Sequence, residues 1–230
     1  MSITIINSKV SYGPDLVTDG LVLYLDAANS NSYPGSGTIW YDLSGYNKNA
    51  TIYNSPSHNG KYFTLDTTQY IENSNPIPSQ GTTDQEWTVC TFVNITDTTY
   101  QDLVSDGDLN RGLLLRAWAT NAMILYLNAT PNDYYKYSTY DANEWLFNQG
   151  WCYVEFKFRN SDATRELRVN LTDHTGSGPN QTQTPLGNAS TWRWLNGVDG
   201  DVSMIMMYDR LITNIESQKN FNALKSRFGY

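Results

Sequence analysis

Apolar positions in this chain come in short runs, many at every second residue, and Gly, Pro, Asn and Asp separate one run from the next. GLVLYLDAA (20–28), KYFTLDTTQYIE (61–72), EWTVCTFVNI (86–95), GLLLRAW (112–118), AMILYLNA (122–129), WCYVEFKFRN (151–160), RELRVNLTD (165–173) and DVSMIMMYDRLI (201–212) all read as strands. In the run over 151–160, Tyr153, Glu155 and Lys157 fall on one face, and Val154, Phe156 and Phe158 on the other. Period-two alternation repeated at this spacing predicts stacked antiparallel sheets. One segment changes period: in TNIESQKNFNALKSRFG (213–229) Phe221, Leu224 and Phe228 share a helical face. Thr213 and Glu216 stand in capping-box spacing, Lys225 and Arg227 fall in the last turn, and Gly229 can close it. The pattern predicts an all-β sandwich with one C-terminal helix covering part of it.

The first eighteen residues are irregular, with Pro14 after Gly13, and read as an arm that docks on its own domain or on a neighbouring chain. With no internal repeat and no second core, the organisation is an arm (1–18) and one domain (19–230). The N-terminus lacks a basic start and a long apolar stretch, so it does not read as a signal peptide. Runs such as LVLYL (21–25) are strand-sized and too short to cross a membrane.

Composition narrows the partners. The formal charge is -8 and 17% of residues are charged, so the surface repels phosphate backbones and anionic lipid heads. Nucleic acid and membrane insertion are set aside. Cys90 and Cys152 each lie inside a strand-like run and not in a CxxC spacing; two buried free thiols or one cross-strand disulfide are the alternatives. Asn-x-Ser/Thr triplets at Asn49, Asn94, Asn128, Asn170, Asn180 and Asn188 follow from an Asn/Thr-rich composition.

Candidate chemistry is sparse. GxSxG, Walker, HExxH and GxGxxG motifs are missing. His58 and His174, the two histidines, sit in polar, turn-like contexts and read as solvated loop residues. No run carries the Glu-x-Asp-x-x-Glu form of sandwich-fold glucanases, so a paired-carboxylate hydrolase, and an enzyme in general, is not expected. Asp106, Asp108 and Asn110 begin a calcium loop, yet Arg111 replaces the required Gly and Ala117 the bidentate Glu. A polar hairpin turn and a weak calcium site at the sandwich rim are the two readings, and no other cofactor is implied.

Aromatic residues are abundant, with 17 Tyr and 7 Trp. PNDYYKYSTYDANEW (131–145) and STWRWLNG (190–197) place Tyr134, Tyr135, Tyr137, Trp192 and Trp194 among turn-forming residues. There they serve as glycan or subunit contacts, or as packing at the edge of the core. Full burial of Trp192, Trp194, Tyr134 and Tyr135 in a single subunit would remove both functional readings.

Two terminal blocks carry a resemblance. DGLVLYLDAANSNSYPGSGTIWYDLSGYNKNATI (19–52) and GDVSMIMMYDRLITNIESQKNFNALKSRFG (200–229) resemble the concanavalin A-like, laminin G-like domains of structural proteins of tailed bacteriophages, including those of large and cyanobacterial phages. In the first block Asp26 ends a strand, Pro34, Gly35 and Gly37 shape a loop, Trp40 buries its ring, and Asp42, Ser44 and Gly45 form an Asx-type turn. In the second, Asp209 and Arg210 read as a local ion pair that sets the helix start. The resemblance implies a jelly-roll sandwich on the outer surface of a virion, as capsid decoration or a tail or fibre component. It further implies attachment to other virion proteins through the arm, homo-oligomerisation and weak contact with host-surface glycan. The alternative is a stand-alone carbohydrate-binding module or lectin. The strongly matching residues are framework, so no binding site is carried over.

Overall fold

Strand runs pair into two antiparallel sheets stacked face to face. The computed structural model describes residues 15–74, 85–96, 101–106, 114–118, 122–126, 134–137, 146–159, 161, 164–174, 176–177 and 191–230. In chain order the strands are β1 (Leu21–Asp26), β2 (Ile39–Trp40), β3 (Ala50–Tyr53), β4 (Ser57–His58), β5 (Phe63–Leu65), β6 (Tyr70–Ser74), β7 (Glu86–Ile95), β8 (Gln101–Asp106) and β9 (Leu114–Trp118). They continue as β10 (Ala122–Tyr126), β11 (Tyr134–Tyr137), β12 (Cys152–Arg159), β13 (Thr164–Val169), β14 (Thr172–His174), β15 (Gly176–Ser177), β16 (Thr191–Asn196) and β17 (Gly200–Tyr208). Helix α1 (Asn214–Leu224) and a 3-10 turn, Lys225–Arg227, close the chain. The first sheet runs β14-β13-β12-β7-β17-β5-β4 with β1 also on β17; the second runs β15-β11-β10-β9-β8-β16-β6-β3-β2.

Two of the expected strands divide. KYFTLDTTQYIE yields β5 in the first sheet and β6 in the second, because Asp66 forms a turn with Thr68 and Gln69 that crosses from one layer to the other. RELRVNLTD folds back on itself: Asn170 and Leu171 both take positive φ (50° and 66°), the geometry of a tight two-residue hairpin joining β13 to β14. Conversely, the polar-looking stretch around Trp192 is a central strand, β16, held between β6 and β8.

The core has two layers. Between the sheets lie Trp40, Phe63, Trp87, Phe156, Phe158, Trp192 and Trp194, joined by close ring contacts such as Trp87–Trp192 at 5.6 Å. On the outer face of the first sheet a second cluster, with Tyr24, Cys90, Phe92, Tyr153, Met204, Met206 and Tyr208, is roofed by Phe221 and Leu224 of α1 and by Leu16 and Val17. That roof is why β12 is buried on both faces despite its alternation. Gly200 marks the tightest approach between strands: a Cβ there would sit 2.3 Å from the Asn94 carbonyl oxygen, so only glycine fits.

Polar groups under the roof are paired. Glu155, with no exposure, lies 3.3 Å from Lys157 Nζ and 3.5 Å from Arg168 Nη1, and both cations also donate to Asn214 Oδ1. A buried anion held by two cations is a structural feature of the helix seat. Cys90 and Cys152 are free and buried; burial pushes the Cys152 thiol up to about 11 and the Cys90 thiol well above its usual value.

Residues 15–18 of the arm segment run against the domain's own helix, where Val17 N–H donates to Asn220 Oδ1 at 3.0 Å. The rest of the segment expected as an arm, residues 1–14, lies outside the described residues. Among the described residues no helix is long and apolar enough to cross a membrane.

Candidate functional site

Strands β1 and β5 share one edge of β17 end to end. β5 pairs with Gly200–Val202 and β1 with Met204–Tyr208, and a bulge at Ser203 separates the two registers. At that junction both strands leave the sheet. Ser203 bridges the gap: its carbonyl accepts from Ala27 N–H at 2.8 Å, and its hydroxyl donates to the Lys61 carbonyl at 2.8 Å. The divergence opens a cleft of about 440 Å³ lined by Ala28, Gly60, Lys61, Tyr62, Trp151, Ser203, Arg227 and Phe228.

Each wall has a local cause. The β4–β5 hairpin closes through Asn59–Tyr62, where Asn59 Oδ1 accepts from the N–H groups of Lys61 and Tyr62 at 3.0 and 3.1 Å. Gly60 takes φ +89° there, a conformation that side chains other than glycine and asparagine resist. This turn presents Lys61 and Tyr62 to the cleft. His58 braces it, with Nε2 2.9 Å from the Ala27 carbonyl and Nδ1 accepting from Gly60 N–H at 3.4 Å. Since a carbonyl can only accept, the ring proton sits on Nε2. His58 also packs against Tyr33 (4.7 Å) and Phe63 (4.9 Å), so it is a half-buried structural residue and not the solvated loop histidine expected; His174 is likewise partly buried, at the end of β14.

Trp151 follows a turn made by Asn148 (φ 57°) and Gly150 (φ 77°), directly ahead of β12. Its ring meets Tyr62 edge-on at 5.1 Å and Phe228 at 4.7 Å, and Phe228 stacks on buried Phe92 at 4.2 Å. The aromatic wall is therefore rooted in the second core layer. The Trp151 carbonyl accepts from the Tyr230 hydroxyl, which ties down the end of the chain.

Arg227 is fixed by a buried anion. Asp26, with no exposure, accepts from Arg227 Nη1 at 2.9 and 2.8 Å on its two oxygens, from Ala28 N–H at 3.0 Å and from the Tyr24 hydroxyl at 2.8 Å. Burial, aided by the Asp26 charge, holds the Tyr24 phenol far above its usual range, so it stays a donor. Among the described residues, Arg227 and Lys61 are the charged side chains on the cleft wall. Rings, a hydroxyl and two cations can stack on a sugar face and donate to its oxygens.

No protein-family model matches the sequence, and no curated protein matches it. Solved structures do. The binding domain of botulinum neurotoxin serotype D/C superposes with a TM-score of 0.70 at 12% identity, covering 90% of this chain and 53% of that one. A botulinum neurotoxin DC binding domain in complex with SialylT gives 0.69 at 13% over 90% and 52%. The serotype D ligand binding domain in complex with N-acetylneuraminic acid gives 0.66 at 13% over 91% and 52%. The likeness is one of fold. The chain spans about half the length of these solved chains, and the match fits a jelly-roll-like sandwich while carrying no link to phage.

None of the site residues expected from sequence is among the described residues that line this cleft. Trp192 and Trp194 are 0% and 1% exposed on the inner face of β16, and Trp194 Nε1 donates to Asn73 Oδ1 at 2.7 Å. They are core residues in a single subunit, which removes them as glycan or subunit contacts. Their alternation with Arg193 and Thr191, which point away from the core, was the signal for a strand. Tyr134, Tyr135 and Tyr137 lie on β11, paired with β10 in the second sheet, with the positions of their side chains outside the description. Asp106 ends β8, while Asp108 and Asn110 lie outside the described residues, so the calcium reading is not reached. Among the described residues no group of His, Cys, Asp or Glu gathers to hold a metal ion. Asp209 does not pair with Arg210 as expected; Arg210 instead clasps Glu216 at 2.6 Å and Asp19 at 3.0 Å, linking the helix start to the entrance of β1.

Sequence reasoning missed the cleft because its described members come from five separate stretches. In the sequence Trp151 reads as a strand residue and Arg227 as a helix-end cation. The usable local signals were Asn-Gly before Lys61 and Tyr62, and an aromatic directly after Gly150.

Proposed function

We propose that this chain is a carbohydrate-recognition domain that binds through the Ser203 cleft, without turning its ligand over. The observation that carries the reading is the cleft itself: about 440 Å³, walled by Tyr62 and Trp151 and flanked by Lys61 and Arg227. The volume suits one or two sugar units, and the mix of rings with few polar groups is that of small-molecule sites generally. Stacking of sugar on aromatic faces supplies affinity, and the cations and hydroxyl fix orientation. Fold likeness to binding domains seen with sialylated ligands supports this choice of ligand class as an analogy.

The setting we propose is the exterior of a tailed-phage particle. It rests on the resemblance of the two terminal blocks, with residues upstream of the domain joining other virion proteins, copies self-associating, and the cleft making weak contact with host glycan. The test of the recognition reading is calorimetric titration of the full chain against a panel of oligosaccharides. Millimolar or tighter binding is expected for at least one, with Trp151→Ala or Tyr62→Ala weakening it about ten-fold or more while circular dichroism stays native. A chain that binds none of them, or variants that bind like the wild type, would overturn it.

A further inference from the structure

We infer that the cleft selects saccharides that carry a carboxylate, with Lys61 and Arg227 as the groups that read it; the inference rests on the carbohydrate reading. Three observations meet here. The chain as a whole carries a formal charge of -8, yet among the described residues the charged side chains on the cleft wall are two cations. Asp26 offsets the charge of Arg227, so the net positive charge on the described wall is that of Lys61, which lowers the energy of an anion there relative to the rest of an acidic surface.

Second, Arg227 is held in place before any ligand arrives. Nη1 alone contacts both oxygens of Asp26, which is fully buried and is not itself part of the wall. Among the described residues nothing partners Nε or Nη2, and the side chain is 28% exposed. A guanidinium pinned on one nitrogen keeps its remaining donors in a fixed fork, the geometry that matches a carboxylate. Asp26 and the Tyr24 hydroxyl behind it set the plane of that fork.

Third, Lys61 is exposed, sits on the Asn59–Gly60 turn, and has no ion-pair partner among the described residues. Its flexible ammonium approaches from the turn while the arginine comes from the 3-10 end of the helix, with the Tyr62 and Trp151 rings between the two segments on the same wall. A pyranose lying on the rings places an acidic substituent within reach of both cations. Charge-assisted hydrogen bonds in a partly enclosed site outweigh neutral ones by about ten-fold in affinity.

Calorimetry on the full chain decides this, with a glucuronic-acid-containing oligosaccharide set against its neutral glucose counterpart of the same linkage and length. We expect the acidic sugar to bind about ten-fold tighter at low salt, with the preference shrinking as salt is raised. Lys61→Gln should lower the acidic affinity about three- to five-fold more than the neutral one. Lys61 is the informative position, since changing Arg227 strips a buried carboxylate of its partner and affects folding. Equal binding of both sugars with Lys61→Gln affecting neither would overturn the selectivity while leaving the recognition reading standing. Binding of neither sugar, nor of any other oligosaccharide, would overturn both. Full displacement of the acidic sugar by inorganic phosphate at matched ionic strength would also overturn the selectivity, marking a plain anion site.

Discussion

Asp26 and Glu216 illustrate two ways this protein uses a carboxylate. Asp26 is buried and orders its surroundings: three donors from β1, its exit and the chain's last turn converge on it, and the orientation of Arg227 follows. Glu216 is partly exposed and acts as a clamp. It accepts from Arg210 through both oxygens at 2.6 and 3.0 Å and from Thr213 N–H at 2.8 Å. Hydrogen bonding from Arg210, reinforced by Thr213, holds its carboxyl well below the usual range, at about 2. A folded-state pKa below the unfolded one contributes stability that is present above about pH 4.5 and is lost as pH falls toward 2. Urea denaturation at pH 7 and at pH 2.5 should therefore show Glu216→Gln losing less stability on acidification than the wild type. An identical acid loss in both proteins would disprove the clamp. Glu216 was legible in sequence as the far half of a capping box, whereas Arg210 was assigned to the wrong partner, since Asp209 is adjacent in the chain but Glu216 lies one helical turn away in space.

Helix α1 holds its place through a single closed loop of hydrogen bonds as much as through its apolar face. Val17 N–H donates to Asn220 Oδ1, Asn220 Nδ2 donates to the Tyr208 hydroxyl, and that hydroxyl donates to the Val17 carbonyl, all at 3.0 Å. Asn220 has no exposure, so each of these groups depends on the others for satisfaction. Asn220→Ala leaves the Val17 N–H without its acceptor and removes a donor to Tyr208, and should cost about 2–3 kcal/mol in urea denaturation; a loss below ~0.5 kcal/mol would show that this loop of hydrogen bonds does not seat the helix. The same loop bears on truncation. A cut through residue 18 removes Leu16 and Val17 from the second core layer along with the Tyr208 acceptor, and one ending at residue 14 spares them. The helix start and its capping box were readable because they depend on residues three or four apart, whereas the α-helix ends at Leu224, short of the expected 229, and passes into a 3-10 turn that carries Lys225 and Arg227. Asn220 was not, since its partners lie 12 and 203 positions away.

At the scale of the molecule, layering decides what is surface. The first sheet is covered twice, by the second sheet and by the helix with residues 16 and 17, so alternation along β12 did not mean that one face met water. The proposed virion setting belongs to this scale as well. Quantitative mass spectrometry of purified particles should find this chain at a copy number comparable to the major capsid protein for a head-decorating or sheathing role, or at a few copies for an adsorption device. Complete absence from particles would overturn the setting and leave a free-standing recognition domain.

The sequence by itself determined the fold class, most strand positions, the capped helix, the Asx turn at Asp42 and the burial of Trp40. All of these rest on patterns a few residues long, which local sterics and hydrogen bonding enforce directly. Only the tertiary structure decided which aromatics are buried and which line a cleft. Burial of Trp192 and Trp194 requires β6 and β8 on either side and the opposite sheet above, and the cleft requires β1 and β5 to meet along one edge of β17. Those pairings join residues far apart in the chain, where the free energy depends on how layers stack and not on the neighbours a residue has in sequence.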